Sequence, residues 1–558
     1  MSASQDTKPQ NPLRKPVTFA LIAALLVTVG MFAGFRLNQS ISYQSRQQVV
    51  GGVQKFEEAM WFVKDNYVED PNPDKMVDDA IVGMLDGLDP HSYYIPKEEM
   101  VQMEEQMQGS FEGIGVEFNI IEDTLYVVTA ISGGPSERVG IQAGDRIVKV
   151  NGENIAGVKI TNTQVFKYLR GPKGTHVKVS VVRPGTKKLL EFDITRDQIP
   201  LYSVDYSYMV RPQVGYIKVS RFAETTHQEF AEHLYELKNK GMESLILDLR
   251  GNPGGYLEMA QRIADEFLPE GRMIVYTEGR TRESKAKYRA TSIFKAFEKG
   301  ALIVLIDYGS ASASEIVSGA VQDWDRGLIM GVRSFGKGMV QIQHQFKDTS
   351  AIRIVISKYY TPMGRCIQKP YNKSHEEYEK EIEERFESGE IYDESKIKLP
   401  DSLKFKTNSG RTVYGGGAIM PDVFVPRDTS SDSDYLIDLV SANLFNQYAF
   451  KYHDQNPNFT TVYKTADDFQ KKFVVTEGML TDFSEFAASR EVAMKQDQFA
   501  RSKKLISNLI KAYIGRQYWK DDGFYPVVHE TDNVLQKAIE YLPAAKELEK
   551  SGKFTPIK

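Results

Sequence analysis

Cysteine is almost missing from this 558-residue chain: Cys366 stands alone, so no internal disulfide can form, and the redox compartment cannot be read from cysteine usage. The eight histidines and this cysteine make no cluster with metal-ligand spacing, and neither a metal nor any other cofactor is expected. A basic excess is also lacking. Lys and Arg number 70 against 75 Asp and Glu, a formal net charge of -5, which argues against a nucleic-acid partner. No internal repeat is present, so a solenoid is not indicated. With 41% hydrophobic and 26% charged residues the chain is globular in composition, and too long for one ordinary core.

One charge-free run does stand out, residues 17–35 (VTFALIAALLVTVGMFAGF), long enough to cross a hydrocarbon layer of roughly 30 Å as a helix. Lys8, Arg14 and Lys15 precede it, and no clean small-x-small cleavage site follows. The expectation is a cytoplasmic stretch at 1–16, a single-pass inner-membrane anchor at 17–35, and everything later outside the cytoplasm.

Beyond the anchor the pattern changes several times. Residues 40–105 read as a helical region with apolar positions spaced by three and four. Residues 109–196 are short β-branched runs separated by glycines, a small mainly β domain. From 200 to 370 apolar strands alternate with helical segments, an α/β core with helices covering the sheet. Residues 371–410 are charge-dense and read as a solvated helical insertion. Residues 411–426 return to the core, and 427–558 form a helical extension that reads as an accessory domain. The fold class is therefore α/β, with an inserted β domain and helical regions at both ends.

Chemistry is densest at Gly309-Ser310-Ala311-Ser312-Ala313-Ser314-Glu315, between an apolar strand and a helix start. Small residues there let a hydroxyl and backbone N–H groups approach a substrate, and a helix start favours developing negative charge. The same residues would also make an ordinary helix cap, with Glu315 supporting the first turn. Lys337, in Ser334-Phe335-Gly336-Lys337-Gly338-Met339, has glycine and apolar neighbours that would lower its pKa and make it a base; a surface lysine in a Gly-rich loop has the same look. Gly254 and Gly255, in Gly251-Asn252-Pro253-Gly254-Gly255, are candidate carriers of a backbone donor or parts of a plain strand-to-helix turn. Gln341 either orients the Lys337 amine or faces solvent on a strand.

Taken in order, LILDLRGNPGG at 245–255, GSASASEIVSGAVQD at 309–323, GVRSFGKGMVQ at 331–341, YYTPMGRCIQ at 359–368 and GGGAIMPDV at 415–423 resemble the C-terminal processing peptidase family, from about residue 45 to about 426. The resemblance implies a crotonase-like α/β peptidase core and a Ser–Lys serine endopeptidase that cuts proteins near their C-termini. In that pattern Ser312 is the nucleophile and Lys337 the general base. Gln341 supports the lysine, Glu315 is a possible support, and the N–H of Ala313 with one from Gly254 or Gly255 forms an oxyanion hole. The β domain then resembles a PDZ domain. Gly113, Ile114, Gly115 and Val116 would bind a terminal carboxylate, Val116 and Phe118 would face an added peptide strand, and Arg170 would pair with an acidic group or position the domain. Protein C-terminal tails are the implied partners, with a homo-oligomer or an adaptor protein left open, and the catalytic part lies in the periplasm. The rivals are a non-catalytic PDZ adaptor or scaffold of the cell envelope, and an acyl-CoA enzyme of crotonase type.

Overall fold

The structure, a computed structural model, describes residue 28 and residues 49–131, 133–183, 186–371, 375–397 and 399–556. The expected anchor at 17–35 lies outside these apart from Thr28, and no helix among the described residues is long and apolar enough to cross a membrane. Two compact units divide at Gly87. The first contributes a helix over residues 49–66 and a second over Pro73–Asp86, whose Asn72 cap accepts from the N–H groups of Asp74 and Lys75.

In the second unit the central sheet runs Val204–Arg211, Val214–Val219, Ser244–Asp248, Ala301–Ile306, Leu328–Gly331, Val423–Phe424. The first pair is antiparallel and the rest are parallel. Side chains alternate across a strand, so one apolar run supplies both faces. Leu302, Val304 and Ile306 pack with the helices Thr226–Asn239, Leu257–Asp265 and Ala313–Asp323. Ile303 and Leu305 pack on the other side with Leu535, Ala538, Leu542 and Leu548 of the final helix, Asn533–Ser551. That helix belongs to the α/β core and is not accessory to it, a correction that sequence periodicity could not reveal because Ala301–Ile306 and Leu328–Gly331, the strands it covers, lie over two hundred residues away. A second, antiparallel sheet brings Ala351–Tyr360 between Tyr93–Ile95 and Met273–Gly279, with Met339–Gln345 also paired to it.

The small β domain has its own core, with Leu125, Ile147, Val179 and Ile194 fully buried against Leu169 of the helix Asn162–Leu169. The remaining C-terminal helices build an aromatic-rich cluster around Phe445, Phe469 and Phe483, and meet the β domain where Phe450 packs with Ile121 and Val128. The charged insertion departs from the solvated reading. Its helix His375–Glu387 buries Tyr378 and Arg385, because polar partners in the core receive them.

Candidate active site

Two loops leave the carboxyl ends of neighbouring parallel strands, Ser244–Asp248 and Ala301–Ile306, where α/β sheets commonly place ligands. Asp307 stitches them together: its Oδ1 accepts from Gly251 N at 2.7 Å and Gly309 N at 2.9 Å. The three nearby serines divide into distinct roles. Buried Ser310 donates to Leu249 O at 2.8 Å and buried Ser314 to Asn252 O at 2.9 Å, so both are fasteners between loops. Ser312 is half-buried and lines a cleft of about 700 Å³, at the N-cap of helix Ala313–Asp323 with φ +52°. A non-glycine residue there is strained, and the surrounding structure must hold it.

Much of that hold comes from Glu315, which is fully buried. Its Oε2 accepts from Ser312 N at 2.9 Å and from Lys337 N at 2.8 Å, while Oε1 accepts from Gly336 N at 2.7 Å and Ser334 Oγ at 2.5 Å. Burial raises the Glu315 pKa, and these four donors oppose the rise. A second bridge is Tyr359, whose hydroxyl lies against the carbonyl oxygens of both Ser312 and Lys337. Two residues 25 apart in sequence are thus joined through their backbones on both the N–H and the C=O side.

No hydrogen bond joins the Ser312 hydroxyl to the Lys337 amine. Lys337 lines an adjoining chamber of about 630 Å³ with His91, Tyr308, Phe335, Tyr378 and Ile382. Burial lowers the Lys337 pKa, Arg353 lowers it further, and Glu315 pulls in the opposite direction. Gln341 lines the serine cleft, but its side-chain amide donates to His91 O and makes no hydrogen bond with the Lys337 amine, unlike the expected support.

Of the expected oxyanion donors, Ala313 opens the helix, where its N–H has no intrahelical partner. Gly254 N is taken by Asn252 Oδ1 at 2.9 Å, whereas Gly255 lines the cleft beside Ser312. Gly254 acts through space: with φ +100°, a Cβ would lie 2.7 Å from Ser312 Cβ and 2.9 Å from Ala313 N. Helix Lys97–Gln108 lines the facing side of the cleft with Met100, Met103 and Met107, spaced by three and four. Sequence reading missed this wall, although the spacing was visible.

In the β domain, a groove lies between strand Val116–Ile121 and helix Asn162–Leu169, lined by Val116, Phe118, Ile160 and Phe166. At its end Gly115 takes φ +72°, and neither Ile114 N nor Gly115 N donates to a described acceptor. Ile114 itself is buried, and its carbonyl receives Ser136 N and Oγ. Gly113 is paired with Asp197 in a two-stranded ribbon and has Phe111 and the Arg170 backbone close by. Arg170 pairs with Glu105 at 2.5 Å and stacks over Phe111 and Phe166, tying the domain to the Met-bearing helix.

Residues 213–377 match the model of peptidase family S41, residues 126–183 a PDZ domain, residues 28–99 the N-terminal domain of the activating protease CtpB, and residues 435–521 a family of unknown function. The carboxy-terminal-processing protease of Bartonella bacilliformis is 33% identical over 75% of this chain and 94% of its own length. Carboxy-terminal processing protease CtpB of Bacillus subtilis is 38% identical over 56% of this chain, which spans just 65% of that relative. Among solved structures, a photosystem II D1 C-terminal processing protease is 26% identical over 57% of this chain and 90% of its own, with a TM-score of 0.32.

Proposed function

We propose, for a chain that belongs to the carboxy-terminal processing protease family and is a serine peptidase with a PDZ domain, that it cleaves proteins near their C-termini through Ser312 and Lys337. The observation that carries this is the shared Glu315 Oε2, which fastens the backbone of the hydroxyl-bearing residue to that of the amine-bearing one. With both backbones held by one carboxylate, the hydroxyl and the amine project from a shared support.

The neutral Lys337 amine takes the Ser312 Oγ proton as Oγ attacks the scissile carbonyl. The resulting oxyanion is received by the N–H groups of Ala313 and Gly255, with Gly254 keeping the space open. Protonated Lys337 returns its proton to the departing amine, leaving an acyl-enzyme. Water, deprotonated by the same lysine, then attacks the ester and frees Ser312. A neutral amine is essential, and desolvation is what supplies it near pH 7.

The PDZ groove holds the substrate tail as an added strand beside Val116–Ile121, its carboxylate at the N–H groups of Ile114 and Gly115. Residues 17–35 anchor the chain in the inner membrane with the catalytic part in the periplasm, which fractionation of cells and protease accessibility would check. To test the reaction, the protein is incubated with a disordered protein ending in an apolar tail, and products are read by mass spectrometry. Ser312→Ala and Lys337→Ala should both be inactive, and cutting at the wild-type rate by either refutes the pair. Amidating the tail should raise KM; equal KM for free and amidated tails refutes capture of the carboxylate.

A further inference from the structure

We propose that the charged insertion is a working part of the catalytic centre, with Arg385 as the positioning residue for the loop that carries Lys337. The inference rests on the Ser312–Lys337 reading above. Arg385 lies on helix His375–Glu387, a segment dominated by charge, yet it is only 3% exposed. Its Nη1 donates to Ser334 O at 2.7 Å and its Nη2 to Phe335 O at 3.3 Å, the carbonyls three and two residues before Lys337. Its Nε donates to Glu381 Oε1 at 2.7 Å, and Glu381 also pairs with Lys369 at 3.0 Å and with Arg333 at 3.4 Å.

Ser334 is held from its other side, where its Oγ donates to Glu315 Oε1. A continuous path of hydrogen bonds therefore runs from Arg385 through Ser334 and Glu315 to Ser312 N. The same helix walls the Lys337 chamber with Tyr378 and Ile382, and Tyr378 Oη meets His91 Nε2 at 2.8 Å across it. Burying an arginine contributes little net stability compared with an apolar side chain, but its planar fork can fix two neighbouring carbonyls at once. A lysine at this position would keep the charge beside Glu381 and lose the fork.

The test uses the full chain carrying Arg385→Lys or Arg385→Gln, with Ser312→Ala and Lys337→Ala as references. Turnover of a peptide substrate and the pH dependence of labelling by a small serine-reactive fluorophosphonate are measured below each variant's melting temperature. The groups around Lys337, namely Glu315, Arg353, His91, Tyr308 and Tyr378, are unchanged in the Arg385 variants. Expected is a fall in kcat of about 10- to 100-fold with KM unchanged. The labelling limb should move to higher pH as the loosened loop readmits water to the amine, with Arg385→Lys affected less than Arg385→Gln. A folded Arg385 variant with wild-type kcat and labelling profile, or a loss confined to KM, overturns the proposal. If Ser312→Ala or Lys337→Ala retains turnover, the catalytic pair itself falls; if both are dead and Arg385→Lys matches wild type, only the role of the insertion is lost.

Discussion

At Ser312 the backbone is held at φ +52°, in a region that costs a non-glycine residue about 1–3 kcal/mol. Removing the hydroxyl and removing the strain are therefore separable. Ser312→Gly should melt above Ser312→Ala, although glycine's larger loss of backbone entropy trims the difference by about 0.5–1 kcal/mol; both should be inactive, and equal melting points would show the strain to be absent. Lys337 carries an opposite conflict. Its pKa is lowered by burial and then by Arg353, so the folded state binds the proton less readily than the unfolded state. Its favourable contribution is present above the ordinary lysine value of 10.5 and is lost as pH falls through the lowered folded value. At neutral pH, Lys337→Met should raise the melting temperature by a few degrees while abolishing turnover. Activity should rise with pH along a limb below 10.5, and Arg353→Gln should move that limb upward by removing a neighbouring positive charge. The placing of Ser312 at a helix start and of Lys337 in a buried glycine-flanked loop was legible, because small and apolar residues surround them. The bridging done by Glu315 was not, since a Glu three residues after a Ser is also what an ordinary capping box contains.

Among elements, the turn after strand Ser244–Asp248 is fixed from both ends. Arg250 bonds Asp248 through Nη2 at 2.6 Å and reaches Asp532, the cap of the final helix, at 2.6 Å. Asp532 Oδ1 also accepts from Val534 N and Leu535 N. Asp532→Asn retains the capping oxygen and loses the ion pair, while Asp532→Ala loses both; the cap alone should account for about 1 kcal/mol of difference between them in denaturant unfolding. The runs Leu245-Ile246-Leu247 and Ala301–Ile306 made the α/β layer readable, because they are apolar on both faces. The role of helix His375–Glu387 was not readable. HEEYEKEIEERFE is dominated by charge, and its narrow stripe of Tyr378, Ile382 and Phe386 does not reveal the core carbonyls that meet Arg385.

Over the whole molecule, the PDZ domain is clasped between the Met-bearing helix and the C-terminal helices. Four ion pairs face the latter: Arg146–Asp454, Arg490–Glu122, Arg516–Glu117 and Lys520–Glu137. All are partly exposed, and pairs of this kind contribute about 0–1 kcal/mol each and weaken with salt. The Phe450 contact with Ile121 and Val128 is insensitive to salt. Phe450→Ala should therefore loosen the domain more than Arg516→Ala, read as faster amide exchange in the Val116–Ile121 strand, and high salt should narrow the gap between wild type and Arg516→Ala. None of this docking was legible in sequence, because its partners come from segments three to four hundred residues apart and carry ordinary surface charges.

The covering of the central sheet by Asn533–Ser551 also sets an order in time. Ser312 and Lys337 are synthesised long before the layer that closes the back of their sheet, so a nascent chain carries the reactive groups on a half-dressed scaffold. Until translation has passed residue 551, the sheet face made by Ile303, Leu305, Leu328 and Met330 lacks the helix that covers it.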